Sequence, residues 1–376
     1  MELLVLVGIL FVLFIAEIIY YRIHALENLH LKVEFSKDVA HFGEDIELIE
    51  IAENKKRLPL PFIILKFEAP REIRFYDMEN TSTSDLLYRT DMLTMKAFSK
   101  HTRRIKAQCT KRGYYVFPRV GITTSDLLLV ERFTLDFQNE SHLTVLPEVL
   151  DTELMQMLTS VTLSELQCRR TLLTDPFTLA GIREYGPDDP MNIINWKASA
   201  RTGELMVNQN ASTCAQKVHI FLNLEYYNTK HSTSLLEKSI SLAYTYLIEL
   251  AELGIPASIY TNGADVISGA PVISETDLGS ATLDERAIML ARIDLKNPAH
   301  PFAETLEKYI SATERDDFIV LISPQYNGDF RPLLTEIKSR RPSLFWLMPS
   351  YRTTPDAEPE PEIAPSYMRW EVRGND

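Results

Sequence analysis

The sequence is short of cysteine and of positive charge. Its three cysteines, Cys109, Cys168 and Cys214, are too few and too widely spaced for a disulfide framework or a zinc site. Free thiols are typical of a reducing compartment, which favours the cytosolic side of a membrane. The 39 Lys and Arg are outnumbered by 52 Asp and Glu, and the net charge of -13 argues against a nucleic-acid surface.

Motifs that mark enzymes are also missing. The chain has no Gly-x-Ser-x-Gly, no phosphate-binding Walker loop and no His-Glu-x-x-His, and none of its cysteines lies in a nucleophile motif. The eight histidines are dispersed, and one on a strand, such as His219, is expected to be an ordinary core or surface residue. We therefore predict a protein that is not an enzyme and needs no cofactor. An envelope hydrolase or transglutaminase-like enzyme is the least favoured alternative.

A long apolar run opens the chain. Residues 3–16 are apolar without a break, and after Glu17 the run continues to Tyr21. As a helix it would be about 28 Å long, enough to cross the hydrocarbon core of a bilayer. A cleaved signal peptide would need a basic start and a small-residue cleavage site, and neither is evident. A buried N-terminal helix is the other alternative, and it would lack any polar face. The pattern predicts a transmembrane anchor over 1–22 that contacts lipid through 3–21.

Charges beside this run set the expected orientation. Glu2 precedes it, whereas Arg22, Lys32 and Lys37 follow it. Because basic residues stay on the cytoplasmic side, we expect a single-pass protein of the cell membrane with the bulk of the chain in the cytoplasm.

Residues 30–150 contain short apolar runs of period two and no long amphipathic helix. Repeated strands without helices predict an antiparallel β-sandwich. Seven basic residues occur between 96 and 112, and they suit either contact with anionic lipid headgroups or the solvated face of a hairpin. A connector and a polar segment follow over 151–215.

Strands and helices alternate over 216–350, which predicts a mostly parallel sheet covered on both faces. Leu235 and Leu236 begin a helical stripe that Gly254 is expected to end. The tail, 351–376, is rich in Pro and Glu, which predicts a flexible linker. At its end, residues 367–373 alternate as a strand does, and we expect this strand to join a sheet edge of this chain or of a partner.

Residues 183–207, REYGPDDPMNIINWKASARTGELMV, form a charge-dense stretch that we call the signature segment. Its Gly-Pro and Asp-Asp-Pro predict turns, residues 197–201 predict a short helix, and Gly203 is expected to end that helix. Residues 205–207 predict a strand.

This segment resembles the signature of the domain-of-unknown-function-58 family, which reads Arg-x-Tyr-x-Pro-Gly-Asp-Asp, then Ile-Asp-Trp, then Ala-Arg. The residues that match at the right spacing are Arg183, Tyr185, Pro187, Asp189, Ile194, Trp196, Ala200 and Arg201. Three positions depart from the pattern: Asp188 replaces Gly, Pro190 replaces the second Asp, and Asn195 replaces the Asp before Trp196.

The resemblance implies a multi-domain α+β protein: an N-terminal transmembrane helix, an antiparallel β-sandwich, and a doubly wound α/β domain similar to the von Willebrand factor type A domain. Such domains often bind a divalent cation through Asp-x-Ser-x-Ser at the end of the first strand. Here Asn223, Glu225 and Tyr227 stand at those positions, so only one carries charge. Since hard cations need oxygen ligands with negative charge, we predict a degenerate site without metal.

Two interpretations of the signature segment remain open. In the first, Arg183 and Arg201 pair with Asp189 or Glu184 while Trp196 packs between two sheets. In the second, the segment is an exposed partner surface. The residues of that candidate surface are Arg183, Glu184, Tyr185, Asp188, Asp189, Asn195, Trp196, Lys197 and Arg201.

The resemblance also implies a function. Members of the family are linked to MoxR-type AAA+ ATPases, which are thought to act as chaperones in assembly or cofactor insertion. We therefore predict a membrane-anchored, non-enzymatic scaffold or adaptor with such an ATPase as its partner. The alternative is a metal-dependent ligand-binding or adhesion module that faces outward.

Overall fold

The structure is a computed structural model of the whole chain. It describes residues 2–78, 81–83, 86–117, 119–150, 153–172, 174–187, 189–212, 217–225, 232–274, 280–296, 300–315, 317–325, 330–352 and 357–372. The chain divides into two compact units. Unit 1 comprises Met1–Glu148 with Leu290–Arg292, and unit 2 comprises Val149–Met289 with Ile293–Asp376.

Unit 1 consists of one helix and twelve strands in the described residues. The helix α1 spans Glu2–His24, and it is long and apolar enough to cross a membrane. The strands are β1 (Leu29–Phe35), β2 (Val39–Ala40), β3 (Asp45–Asn54), β4 (Leu60–Ala69), β5 (Ile73–Phe75), β6 (Thr81–Thr83), β7 (Leu87–Met95), β8 (Ser99–Cys109), β9 (Gly113–Val116), β10 (Arg119–Ser125), β11 (Arg132–Gln138) and β12 (His142–Val145).

Two antiparallel sheets of unit 1 share one hydrophobic core. The four-stranded sheet has the order β1-β3-β8-β5, and the five-stranded sheet has the order β11-β10-β4-β7-β6. Alternate residues of β3 are buried, as period-two patterning requires, and Leu48 of that strand meets Phe67 of β4 in the shared core. A smaller sheet, β2-β12-β9, completes the unit. The predicted β-sandwich is present in this antiparallel form.

The last turns of α1 pack on one end of this sandwich. Tyr21 and Ala25 are buried in a cluster with Leu60 and Ile63 of β4, and the Tyr21 hydroxyl donates to the Pro59 carbonyl at 3.0 Å. The Lys56 ammonium donates to the Ala25 and Glu27 carbonyls just past the helix. A cation at a helix C-terminus satisfies carbonyls that have no helical partner. The helix is thereby fixed to the sandwich at its C-terminal end.

Unit 2 alternates helices and strands. Its helices are α2 (Glu153–Leu172), α3 (Trp196–Thr202), α4 (Ser232–Glu252), α5 (Ser280–Ala291), α6 (Phe302–Ile310) and α7 (Phe330–Arg340). Its strands are β13 (Thr174–Glu184), β14 (Met206–Ser212), β15 (Val218–Leu222), β16 (Ala257–Ala264), β17 (Pro271–Ser274), β18 (Phe318–Ile322), β19 (Leu344–Ser350) and β20 (Tyr367–Glu371). Short 3-10 helices occur at Met191–Ile193 and Ala364–Ser366.

A six-stranded sheet organises unit 2, with the order β17-β16-β15-β18-β19-β20. All neighbouring pairs are parallel except β16 with β17, which is antiparallel. The strands β15 and β18 are buried at every residue, which is the expected pattern for strands covered on both faces. The helix predicted there forms as α4, and Gly254 follows it at a positive φ of 68°.

The connector contains a helix, and the tail is more ordered than its composition predicts. The connector forms the helix α2, whose Thr162 hydroxyl lies 2.6 Å from the Tyr246 hydroxyl of α4. In the tail, Ile363 is buried in the core of the six-stranded sheet, and Glu360 accepts from Arg331. The prediction of a flexible linker is therefore wrong for residues 357–366, because the buried Ile363 and the Glu360–Arg331 ion pair hold this polar stretch in place. The predicted terminal strand is β20, and the edge that it joins belongs to this chain.

Candidate interaction surface on the signature segment

The signature segment is built on a two-stranded ribbon. Strands β13 and β14 pair antiparallel, with Arg183 opposite Val207 and Glu184 opposite Met206. An isolated bridge joins Ile194 to Val207, and both side chains are buried. These two apolar residues therefore anchor the loop and helix that lie between the strands.

An arginine–carboxylate clamp fixes the turn after β13. Arg183 donates from Nη1 to Asp189 Oδ2 and from Nη2 to Asp189 Oδ1, both at 2.6 Å. The Gly186 N–H donates to Asp189 Oδ2 at 2.8 Å. The Arg183 guanidinium and this N–H hold the pKa of Asp189 down at about 2. The ion pair predicted between Arg183 and Asp189 is present, and it keeps its charges across the physiological pH range.

Asn195 caps the short helix α3. Its Oδ1 accepts from the Ala198 N–H at 3.0 Å, and its Nδ2 donates to Asn208 Oδ1 on β14 at 2.7 Å. An aspartate could make the first bond but not donate the second. The amide at this position thus joins the helix cap to the ribbon. Gly203 ends the helix in the left-handed conformation, with φ 86°, as predicted.

Trp196 lies at the start of α3 and is 66% exposed. The expectation that it packs between two sheets is wrong. The reason is that α3 has only seven residues and none of them is buried, so the segment is held by Ile194 and Val207 instead. Met191, Ile182 and Leu205, three further apolar residues of this region, are exposed as well.

The remaining candidate residues of the signature segment differ in how exposed they are. Lys197 and Arg201 are exposed, and neither pairs with another residue that the structure describes. The expected pairing of Arg201 with Asp189 or Glu184 is therefore wrong. Tyr185 is half-buried, and its N–H donates to the Leu205 carbonyl at 2.8 Å. Asp188 lies outside the described residues.

Neutral hydrogen bonds fill the carboxyl ends of the central parallel strands, where the degenerate metal site was predicted. Asn223 is buried, donates from Nδ2 to Ser323 Oγ at 3.0 Å, and accepts the Glu225 N–H at 2.9 Å. On the next strand, Asn262 Oδ1 accepts the Leu224 N–H at 2.9 Å. The side chains of Asn223, Ser323 and Asn262 are therefore all hydrogen-bonded within the protein.

Glu225 is the carboxylate that follows β15, and it is already engaged. The Phe302 N–H, at the start of α6, donates to its Oε1 at 3.0 Å. Burial raises the pKa of Glu225, partly opposed by that N–H. Tyr227, the third predicted position, lies outside the described residues. Across the described chain, no group of three or more His, Cys, Asp or Glu side chains is placed to hold a metal ion.

His219 lies near the opposite, amino-terminal edge of the six-stranded sheet. Its Nε2 is 2.8 Å from Asp317 Oδ2, and both side chains are buried. Burial alone would raise the pKa of Asp317, but His219 and two backbone N–H groups lower it. The expectation of a core histidine is confirmed, but its Nδ1 is buried without a hydrogen-bond partner among the described residues.

One cluster of charged residues in unit 1 was missed by sequence reasoning. Arg89 and Asp91 of β7 are buried and 2.7 Å apart. Arg103 of β8 bonds Asp91 at 2.7 Å, and both arginines contact Asp77 at 3.1 Å. Glu50 of β3 is buried beside Asp91, and burial together with the Asp91 charge raises its pKa to about 8. Side chains alternate between the two faces of β7, and Arg89 and Asp91 fall on its core-facing side. This alternation was the sequence signal that could have revealed the buried charges.

Comparisons with known proteins place this chain in no family. No protein-family model matches the sequence, and no curated protein matches it. Among solved structures, the CARDB domain of a Pyrococcus furiosus protein in complex with di-metal ions is 16% identical, covers 30% of this chain and 90% of its own, and has a TM-score of 0.18. A non-cellulosomal cohesin from Archaeoglobus fulgidus is 12% identical, covers 34% and 96%, and has a TM-score of 0.23. At such TM-scores these likenesses carry no argument.

Proposed function

We propose that this protein is a membrane-anchored, non-enzymatic adaptor whose signature segment docks a MoxR-type AAA+ ATPase on the cytoplasmic side. The observation that carries the proposal is the exposure of Trp196 on a rigid base. A large aromatic side chain left in water, with Met191, Lys197 and Arg201 exposed in the same segment, is typical of a protein-binding patch.

The rigidity of that base supports docking. The Arg183–Asp189 clamp, the Asn195 cap and the buried pair Ile194 and Val207 hold the patch in place before any partner arrives. A patch fixed in advance loses little conformational entropy on binding, so its contacts contribute more to affinity. The choice of an AAA+ ATPase as partner comes from the family resemblance of the signature segment.

We further propose that unit 2 is a degenerate von Willebrand factor type A-like domain. The sheet order supports this. The strands after β15 are added outward to β17 on one side, and β18, β19 and β20 are then added on the other side. The result is a doubly wound, mostly parallel sheet with one antiparallel edge strand. The neutral network around Asn223 and Ser323 supports the loss of its cation site. A domain of this kind would act through its surface and not through bound metal.

Binding of the purified ATPase to the full chain in lipid nanodiscs tests the adaptor proposal. We expect saturable binding in the presence of a slowly hydrolysed ATP analogue. Trp196→Ala should weaken it by at least about tenfold, as the loss of a central aromatic contact does at protein interfaces. The matched control is Ile267→Ala, which removes another exposed apolar side chain of unit 2 outside the signature segment.

Equal affinities for the wild type, Trp196→Ala and Ile267→Ala would reject the signature segment as the docking surface. Absence of binding in every nucleotide state would reject the ATPase as the partner. Protease accessibility of the C-terminus in intact cells and in opened vesicles tests the orientation separately, since a cytoplasmic unit 2 is cut only after opening.

A further inference from the structure

The loop between β10 and β11 carries four consecutive aliphatic side chains at its apex. Residues 127–130, Leu-Leu-Leu-Val, are all more than half exposed, and we call them the tip. Turns in water are usually made of Gly, Asn, Asp and Ser. Leu129 even adopts a positive φ of 60°, a conformation that Asn or Gly would adopt at lower cost. The aliphatic composition of the tip therefore has no explanation in the turn itself.

The tip lies beside the membrane helix. The Leu127 N–H donates to Glu17 Oε1 of α1 at 2.9 Å, and the Arg22 Nε donates to Glu131 Oε1 at 3.0 Å. Glu17 precedes Arg22 by five residues, which is about 7 Å along a helix. The loop thus runs along α1 from the level of Arg22, the first basic residue after the apolar run, to the level of Glu17 inside that run.

Three of the four N–H groups of the tip are bonded to protein groups. Besides Leu127, the N–H groups of Val130 and Glu131 both donate to Asp126 Oδ1, at 2.7 and 3.0 Å, and the Leu129 N–H donates to the Asp126 carbonyl at 3.2 Å. Asp126 itself is buried. Backbone groups in lipid have no water to bond, so a loop that enters the bilayer needs such internal partners.

We propose that the tip inserts into the same membrane leaflet through which α1 leaves the bilayer, as a second lipid-contacting element. This inference rests on the proposed anchoring by α1. A depth of about 7 Å below Arg22 corresponds to the boundary between headgroups and acyl chains, where apolar faces of membrane-surface elements lie. The tip is continuous with the exposed apolar surface of α1, and lipid is the occupant that covers both.

Insertion also accounts for Glu17. A carboxylate inside an apolar membrane run needs a polar partner. The Leu127 N–H supplies one at the same depth. Insertion of the tip would in turn hold unit 1 against the bilayer, because Glu17, Arg22 and Tyr21 fix α1 to the sandwich on successive turns.

The test uses the full chain reconstituted in vesicles of phosphatidylcholine and phosphatidylglycerol. A polarity-sensitive fluorophore is attached at Leu128→Cys in a Cys168→Ser, Cys214→Ser background that keeps the buried Cys109. We expect the emission of the fluorophore to be blue-shifted, and we expect its intensity to fall by quenching when the acyl chains carry bromine. Ile9→Cys, in the middle of α1, reports on the anchor, and Phe42→Cys, an exposed residue before β3 in unit 1, is the water-exposed control.

Further labelled variants distinguish the possible results of the experiment. A label at Val130→Cys should lose its quenching by brominated lipid when Leu127→Asp and Leu128→Asp are introduced, while circular dichroism stays unchanged. Quenching at residue 9 without quenching at residue 128 would overturn the tip proposal and leave the anchor intact. No quenching at either would reject the anchor and the tip together. A label at 128 that is shielded from aqueous iodide yet unaffected by brominated lipid would assign the tip to a protein partner and overturn lipid insertion.

Discussion

Two buried polar groups, one in each unit, are built by different chemistry. In unit 1 the buried set is ionic, with Arg89, Arg103 and Asp91 in direct contact. In unit 2 the corresponding set at the strand ends is neutral, with Asn223 and Ser323 bonded to each other. Of the two arrangements, only the first depends on the balance of charge.

That balance explains the protonation of Glu50. Two arginines, Arg89 and Arg103, face two aspartates, Asp77 and Asp91, and an ionised Glu50 would add a third negative charge in a buried place. Its pKa of about 8 reflects burial first and the Asp91 charge second. A cluster of this kind makes stability depend on pH, whereas an amide–hydroxyl network does not.

The largest expected effect is on unit 1 when its central cation is removed. Arg89→Met should lower the free energy of unfolding of unit 1 by about 3–5 kcal/mol, because the buried Asp91 would lose its buried partner and keep only the half-exposed Arg103. Hydrogen exchange of peptides from β3 and β7 measures it. The matched control is Arg104→Met, whose exposed pair with Glu47 should contribute at most about 1 kcal/mol. Equal losses in the two variants would contradict a special role for the buried cluster.

The second largest effect is expected in the pH dependence of the stability of unit 1. Glu50 has a folded-state pKa of about 8 against an ordinary value of 4.5, so folding takes up a proton between those values. The contribution of Glu50 to the stability of unit 1 should therefore be largest below pH 4.5. It should fall as pH rises toward 8, by at most about 1.4 kcal/mol per pH unit.

Glu50→Gln should remove that slope, since an amide does not titrate. Unfolding followed by exchange in β3 at several pH values gives the comparison. If the variant keeps the wild-type slope, another group is responsible for it.

A smaller effect is expected when charge is placed in the neutral network of unit 2. Asn223→Asp should destabilise unit 2 by about 1–3 kcal/mol in a chelating buffer, because the donor to Ser323 is lost and a carboxylate is buried near Glu225. Asn192→Asp, at an exposed site, is the control. For the wild type, calorimetry with magnesium, calcium and manganese should detect no tight binding, and a clear heat of binding would refute the degenerate site.

The smallest effect concerns the exposed apolar residues of both units. Trp196→Ser and Leu128→Ser should each change stability by less than about 0.5 kcal/mol, since neither side chain is in a core. Trp346→Ala, which empties a fully buried site in the six-stranded sheet, should cost about 3–5 kcal/mol. Thermal unfolding of the three variants measures the contrast. A large loss for Trp196→Ser would mean that its role is structural and would weaken the docking proposal.

Elements with strong patterning were predictable. The period-two runs gave β1, β3, β4 and β8, and the alternation after residue 216 gave the helices and the buried strands of the six-stranded sheet. The Arg183–Asp189 pair was predictable because a tight turn brings residues six apart together. The exposure of Trp196 was not, because its burial depended on which of several neighbouring apolar residues anchored the loop.

The sequence by itself determined the local features of this protein: an apolar helix long enough to span a bilayer, antiparallel strands followed by alternating helices and strands, and an edge of the sheet poor in carboxylates. These depend on periodicity and composition, which act over a few residues. Only the tertiary structure decided that Arg103 meets Asp91, that Ile363 anchors the tail, and that the tip lies against Glu17. Such contacts join residues up to 110 positions apart, and no local pattern encodes their distance.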